Sequence, residues 1–300
     1  MDHRKKALTN SLNTVLLDSI GLPQTPLLRQ FGAHFFQRAV ERVADLALQL
    51  DEKLASGDPS VGVRWILPHF VVNFSAQNSE RIPQTGPLLI VSNHPASYDA
   101  LLISAFVHRT DYKIIIGKIP PYDHLPNIAR HAIFSPQRDD VNGRMTTLRQ
   151  ALRHLRDGGS LLIFPRGDIE PDPALEAKPA LAMETWSRSL DIFLRQVPDL
   201  QVVAAAVSGV IAPQALHHPF TWFKRKRADR QRLAYIHQLI QQVLRGDEIY
   251  GLHGRVNFSH PIHTDDPQNA FDVLQEMTQM TFLQHLMLFY PQKIADLYSI

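Results

Sequence analysis

Residues 87–99 read PLLIVSNHPASYD, an apolar run followed by a polar turn. The run 88–92 is short and bounded by Pro87 and Asn93, which predicts a buried β-strand. Residues 100–107 are again mostly apolar and predict a helix that begins near Asp99. A buried strand that turns directly into a helix is typical of α/β folds.

The rest of the chain repeats this alternation. We predict an α/β fold with a mixed, largely parallel central sheet flanked by helices, preceded by an N-terminal helical pair. The pair would occupy residues 1–60 and the α/β domain residues 61–300. Besides 88–92, strands are predicted near His69–Phe74, Tyr112–Ile116, His131–Ser135, Leu161–Phe164, Val202–Val207 and Arg255–Phe258.

Within the helical pair, the second helix has the clearer pattern. Its apolar residues recur every three or four positions and predict one buried face. That face would comprise Leu28, Phe31, Phe35, Ala39, Val43, Leu46, Leu50 and Leu54.

Composition excludes several classes of chemistry. The 300 residues include no cysteine, so disulfide scaffolds, zinc–thiolate sites and cysteine nucleophiles are ruled out. The formal net charge is only +2, which does not favour nucleic acid as a partner. The longest uncharged stretch, 200–223, contains two prolines and several polar residues, so we expect no transmembrane helix there. We read no signal peptide and expect a cytoplasmic protein.

The turn after the first quoted strand holds a candidate catalytic pair. His94 would emerge at the strand end, and Asp99 would fall in the first turn of the helix. Pro95 disfavours helix at His94, so the imidazole can fold back toward the carboxylate. A carboxylate on one ring nitrogen leaves the other free to accept a proton, as a general base does. The alternative is that Asp99 only stabilises the helix start and His94 is a partly buried polar residue.

A second strand ends in a similar turn. Residues 160–164 read SLLIF and run into Pro165-Arg166-Gly167. The preceding helix, from about Asn142 to Asp157, would be stopped by Gly158-Gly159. Its predicted buried stripe comprises Met145, Leu148, Leu152 and Leu155. In α/β proteins the carboxyl ends of strands carry the functional sites.

Taken together, these motifs resemble the glycerolipid acyltransferases, the family of 1-acyl-glycerol-3-phosphate acyltransferase. The resemblance spans roughly Arg64 to Val210 and rests on Asn93-His94-x4-Asp99 followed by Phe164-Pro165-x-Gly167. It implies transfer of a fatty acyl group from a thioester of coenzyme A or acyl carrier protein to a hydroxyl of a glycerol-phosphate lipid such as lysophosphatidate. His94 would be the general base and Asp99 its orienting carboxylate, with no cofactor beyond the acyl donor.

The acceptor site departs from the family pattern. The family's phosphate-binding arginine corresponds to Arg138, with Arg130 or Lys118 as alternatives. Where the family has Phe-Pro-Glu-Gly, this chain has Arg166, which donates hydrogen bonds but cannot accept them. Arg166 would contact a further anion on a substrate, or it would pair with a nearby carboxylate. The carboxylates in question are Asp168, Glu170 and Asp172, and the predicted substrate-binding residues are Asn93, Lys118, Arg138, Arg166 and Gly167.

Two other interpretations follow from this departure. The acceptor could be another hydroxyl, such as that of a sugar or another polar lipid. The chain could also be a non-catalytic homologue that binds lipid or acyl thioester.

An aromatic and basic segment suggests contact with a membrane surface. Phe220, Trp222 and Phe223 directly precede the cluster Lys224–Arg227. Such a pairing suits an anionic lipid surface, whereas the alternative is a core aromatic patch before a helix. We predict peripheral attachment at the inner face of the membrane. We predict no metal, although His260-x2-His263 with Asp265-Asp266 is the best candidate cluster.

Overall fold

The computed structural model describes residues 2–136, 139–176, 186–187, 190–263 and 270–298. Its helices are α1 (Asp2–Ser19), α2 (Pro26–Lys53), α3 (Pro59–Ile66), α4 (Asp99–Ser104), α5 (Pro126–Arg130), α6 (Val141–Arg156), α7 (Leu190–Gln196), α8 (Pro213–Leu216), α9 (Arg227–Arg245), α10 (Ala270–Phe289) and α11 (Pro291–Tyr298). Its strands are β1 (Asn73–Gln77), β2 (Leu88–Ser92), β3 (Lys113–Gly117), β4 (Ala132–Ser135), β5 (Ser160–Ile163), β6 (Gln201–Ser208), β7 (His253–Phe258) and β8 (Ile262–His263).

The strands form a single mixed sheet in the order β1-β7-β6-β2-β5-β3-β4. Strands β6, β2, β5, β3 and β4 are mutually parallel. Strand β7 runs antiparallel to β6 and parallel to β1, and β8 pairs antiparallel with β6. The predicted mixed, largely parallel sheet is confirmed. Strand β2 lies between β5 and β6, so the loops after these three strands meet at one edge.

Helices cover both faces of this sheet, which explains why β2 reads as an unbroken apolar run. Alternate side chains of a strand point to opposite faces. Leu88 and Ile90 pack in the cluster that includes residues of α2, α3, α4 and α9. Leu89 and Val91 pack in the cluster that includes residues of α6, α7 and α10. The core is therefore split into two layers by the sheet.

The N-terminal helical pair packs against the α/β domain. Gly21, with φ of +78°, follows α1 in a left-handed conformation, and Pro26 opens α2. Buried Asp51 of α2 accepts hydrogen bonds from the backbone of α5, at 2.8 Å from Asn127 and 2.9 Å from Ile128. The placement of a domain boundary at residue 60 stays a prediction.

Three details of the prediction were wrong. The strand expected at His69–Phe74 begins only at Asn73, because a 3-10 helix covers Leu67–His69 and includes Pro68 near its start. Met145 is exposed instead of buried. The predicted apolar face is buried only in its second half, at Ala39 and Leu50 of α2 and at Leu54 in the 3-10 helix that follows α2.

Candidate active site

His94 and Asp99 form a hydrogen-bonded pair at the carboxyl end of β2. His94 Nδ1 lies 2.9 Å from Oδ2 and 3.1 Å from Oδ1 of Asp99. The fully buried Asp99 carboxylate also accepts from the backbone N–H of Ala96 at 2.9 Å and of Ala100 at 2.7 Å. The turn is thus built around this carboxylate. The same group orients the imidazole and stabilises the start of α4.

The His94 side chain is only partly covered by its neighbours. The side chain is 26% exposed, and no described residue hydrogen-bonds to its Nε2. Burial by itself lowers the pKa of His94, but the charge and hydrogen bond of Asp99 outweigh it, with help from Glu170 and Asp168. The net pKa lies above the ordinary value for histidine. An imidazole so placed can accept a proton at Nε2 while Asp99 stabilises the resulting cation.

The loop after β5 meets the loop after β2. Phe164 stacks on the His94 ring, and Gly167, exposed and with φ of +63°, donates its N–H to the Phe164 carbonyl to close a tight turn. The chain then returns toward β2, where the Glu170 N–H donates to the His94 carbonyl oxygen at 2.9 Å. The two motifs singled out in the sequence therefore form one site.

Sequence reasoning did not identify Glu170 as a site residue. Its carboxylate is buried and accepts from the His94 N–H at 3.0 Å and from Trp186 Nε1 at 2.9 Å. Burial raises the pKa of Glu170 to about 7, although both hydrogen bonds and the charge of Arg166 oppose this rise. The sequence offered only one signal, an acidic residue shortly after the second motif.

Helix α9 closes the site from a third direction. Buried Gln231 donates from Nε2 to the Pro95 carbonyl at 2.6 Å and to the Glu170 carbonyl at 2.8 Å. Its Oε1 accepts from Arg227, which also donates to the Ile169 carbonyl at 3.1 Å. Sequence reasoning assigned Arg227 to the basic surface cluster and did not single out Gln231. The available signal was a series of glutamines on the buried stripe of this helix, namely Gln231, Gln238 and Gln242.

Arg166 lies half-buried beside this network. Its positive charge lowers the pKa of Glu170 and contributes, after burial and the opposing effect of Glu176, to lowering the pKa of Arg227. The other carboxylates considered as partners for Arg166 are engaged elsewhere. Asp168 pairs with Arg232 at 3.1 Å, and buried Asp172 accepts from backbone N–H groups. The donors to Asp172 are Ala174, Gly209, Val210 and Ile211.

The other predicted substrate-binding residues lie in different surroundings. Asn93 is buried, and its side-chain amide donates to the carbonyl and accepts from the N–H of Val207 on β6. Lys118 follows β3 and is exposed, and its backbone N–H donates to Ser135. Arg130 contacts the Asn127 side chain. Arg138 lies outside the described residues. The structure thus brings His94, Asp99, Arg166 and Gly167 together and places Asn93 behind them.

The aromatic and basic segment lies at the surface. Trp222 is 66% exposed and Phe223 is 84% exposed, so the alternative of a core patch is wrong for these two side chains. The ammonium group of Lys224 lies against Gly21, in the turn between α1 and α2. On α2 the exposed apolar residues are Leu27, Leu28, Phe31 and Phe35. We call these four residues together with Trp222 and Phe223 the apolar surface.

The described part of the chain contains no helix that is both long and apolar enough to cross a membrane.

Comparison with known protein families finds a match for the segment that carries this site. Residues 73–185 match the family described as Acyltransferase. This match confirms the resemblance predicted from the sequence, and the matched segment carries His94, Asp99 and Glu170.

One solved structure similar to this chain is the 1-acyl-sn-glycerophosphate (LPA) acyltransferase PlsC from Thermotoga maritima. The similarity covers 96% of this chain and 98% of that one, with a TM-score of 0.48 and 14% sequence identity. No curated protein matches the chain.

Proposed function

We propose that the protein transfers a fatty acyl group from a thioester of coenzyme A or acyl carrier protein to a hydroxyl of a glycerol-phosphate lipid such as lysophosphatidate. The observation that carries this proposal is the His94–Asp99 pair, with Nδ1 held 2.9 Å from the carboxylate and the His94 side chain 26% exposed. The family match over residues 73–185 supports the acyl-transfer chemistry.

The reaction needs one base, which His94 supplies. Nε2 takes the proton of the acceptor hydroxyl while its oxygen attacks the thioester carbonyl carbon. The tetrahedral intermediate collapses with cleavage of the carbon–sulfur bond, and the imidazolium returns its proton to the leaving thiolate. Asp99 stabilises the imidazolium between these steps. No covalent enzyme intermediate is required, which is consistent with the absence of cysteine.

The apolar surface supports attachment to a lipid bilayer. Two of its aromatic members, Trp222 and Phe223, are followed by the basic residues 224–227, which suit anionic headgroups. The last of these, Arg227, begins α9, and Gln231 one turn later contacts the His94 loop. The attachment surface would therefore adjoin the site where a lipid acceptor is needed. Since the proposed donors are intracellular thioesters, we place the enzyme at the cytoplasmic face of the membrane.

A second acceptor class is favoured by one observation, the arginine at position 166. Arg166 lies near Arg227 beside the catalytic loop, so the site carries more positive charge than a glutamate at that position would give. An acceptor with an additional anionic group would fit this charge better than lysophosphatidate does.

Purified protein, labelled acyl-coenzyme A or acyl carrier protein, and a panel of acceptors test these proposals. Thiol release that depends on lysophosphatidate and is lost in His94→Gln is the expected result. Release that depends on a different acceptor would select the second class. Tight binding of acyl thioester without release for any acceptor would contradict catalysis and indicate a binding protein. Arg166→Glu tests the acceptor assignment, because it should shift preference toward lysophosphatidate.

A further inference from the structure

The peptide group that carries His94 is held from both sides by Glu170. The Glu170 carboxylate accepts from the His94 N–H at 3.0 Å, and the Glu170 N–H donates to the His94 carbonyl at 2.9 Å. Asp99, by contrast, holds the imidazole ring. Two carboxylates from two loops thus fix the backbone and the side chain of the same histidine.

We propose that Glu170 is a positioning residue for His94: its carboxylate and peptide N–H fix the histidine backbone, and its negative charge favours the protonated imidazole. The inference rests on the proposed function, because there His94 accepts a proton during the reaction. Glu170 needs no contact with substrate in this role.

The contacts of Glu170 leave it little freedom. The side chain is 1% exposed, and each carboxylate oxygen accepts a different N–H, one from His94 and one from Trp186. Its own carbonyl accepts from Gln231 at 2.8 Å. A carboxylate provides acceptors on both oxygens, whereas an amide provides only one. Glutamine therefore cannot reproduce both side-chain contacts.

Charged groups on every neighbouring element set the balance between Glu170 and His94. The turn after β2 supplies His94, and α4 supplies Asp99. The β5 loop supplies Arg166 and Asp168, of which Asp168 is paired with Arg232 of α9. Helix α9 also supplies Arg227, whose charge is partly offset by Glu176 at 3.9 Å. Glu170 and Asp168 both raise the pKa of His94, and Glu170 has the larger effect.

Glu170 is also suited to change its charge near neutral pH. Burial raises its pKa to about 7, in the range where a histidine titrates. Two interacting groups that titrate together release their protons in coupled steps. The protonation of His94 is therefore expected to depend on the charge of Glu170.

The test compares Glu170→Gln with the intact protein by two measurements. The His94 ring is titrated by NMR in protein with labelled histidine, its signal being assigned by its loss in His94→Gln. The acid limb of the pH profile of kcat/KM is measured in parallel. Because glutamine carries no charge, His94 should titrate at lower pH, the acid limb should move the same way, and kcat should fall.

Asp172→Asn is the matched control. Asp172 is a buried carboxylate of the same segment that accepts backbone N–H groups around Gly209 and does not contact His94. This variant should lose stability without moving the His94 titration. An unchanged titration in Glu170→Gln, or an equal shift in both variants, would overturn the proposal.

Trp186→Phe provides a second test in case Glu170→Gln does not fold. It removes the indole N–H that donates to the other carboxylate oxygen and leaves the contact with His94. Because this hydrogen bond lowers the pKa of Glu170, its loss should raise that pKa. The step in the His94 titration that follows Glu170 should then move to higher pH, and an unmoved curve overturns the proposal. An inactive wild type whose His94 still responds to Glu170 would refute the proposed function alone. An active wild type with an unresponsive His94 would refute the positioning role alone.

Discussion

Phe164 stacks on the imidazole of His94, with ring centroids 4.3 Å apart and ring planes inclined by 25°. Phe164 is the first residue after β5, and His94 lies two residues after β2, so the stacking joins two neighbouring strand ends. Asp99 holds one edge of the ring and Phe164 covers a face. The free edge at Nε2 then has a fixed direction.

Phe164→Leu should lower kcat/KM with little change in stability. Stacked ring pairs contribute about 0.5–1.5 kcal/mol beyond simple burial, so the loss of orientation is expected to cost about two- to tenfold in rate. Leucine keeps an apolar side chain over the ring, and the melting temperature should change little. Steady-state kinetics and thermal unfolding measured together check this, and unchanged kcat/KM would show that Asp99 alone orients the ring.

Asp99→Asn should impair both activity and stability. The carboxylate accepts from Ala96, Ala100 and His94, whereas an asparagine has a single acceptor oxygen and an NH₂ group that would face a donor. An unsatisfied buried donor costs about 1–3 kcal/mol, which denaturant unfolding would report. Without the carboxylate the pKa of His94 falls, and proton transfer should slow by about 10²–10⁴.

His94→Gln and the double variant provide the control for this prediction. Residues that act as a unit have non-additive effects, so the double variant should be no slower than His94→Gln alone. Full activity in Asp99→Asn would return Asp99 to a purely structural role.

The contacts that the sequence could predict join residues close together in the chain, and the contacts that it missed join residues far apart in the chain. His94 and Asp99 are five residues apart. The strand that ends before His94, the proline that follows it and the helix that begins near Asp99 already indicate how the two side chains meet. Glu170 reaches His94 across 76 residues and Gln231 reaches Pro95 across 136, so no pattern within either segment specifies these contacts. They depend on the order of strands in the sheet.

Periodicity likewise showed where a helix has an apolar face but not what covers it. Phe31 and Phe35 belong to the predicted face of α2 and are both 71% exposed, whereas Ala39 on the same face is buried. The face runs past the end of the core, so its first half is largely exposed. A hydrophobic repeat does not indicate where the neighbouring elements end.

Stability is expected to fall below neutral pH because His285 is buried as the neutral form. Burial lowers the pKa of His285 to about 3, and its Nε2 lies 2.6 Å from Ser208 Oγ. The unfolded chain takes up this proton near pH 6.5, and the folded protein does so only near pH 3. The contribution is therefore fully present above pH 6.5 and is lost as pH falls toward 3, at a cost of about 2 kcal/mol by pH 5.

His285→Gln isolates this contribution. Glutamine can still hydrogen-bond to Ser208 but does not titrate, so the drop in unfolding free energy between pH 8 and pH 5 should be smaller by about the same 2 kcal/mol. Chemical denaturation at both pH values measures it. An equal drop in both proteins would mean that His285 is already protonated in the fold or that other groups dominate.

Attachment to lipid should depend on the apolar surface rather than on exposed apolar residues in general. Phe31→Ser with Phe35→Ser removes two aromatic side chains, each of which is worth about 1.5–3 kcal/mol when fully buried, so partitioning into vesicles should fall at least about tenfold. Met280→Ser with Met287→Ser on α10 is the matched control, since both methionines are more than half exposed and lie outside the apolar surface. Co-sedimentation with phosphatidylglycerol–phosphatidylcholine vesicles measures binding.

The basic residues add a second signature to this attachment. Lys224, Arg225 and Lys226 follow Phe223, and a basic side chain near an anionic surface contributes about 1 kcal/mol that salt screens. Binding should therefore weaken with added salt and with removal of phosphatidylglycerol. The double variant Lys224→Gln with Lys226→Gln should show a smaller salt dependence. The variant Phe31→Ser with Phe35→Ser should keep the salt dependence of the intact protein. Equal loss of binding in the methionine control, or binding indifferent to all of these changes, would mean that α2 and the Trp222–Phe223 loop do not form the lipid-facing side.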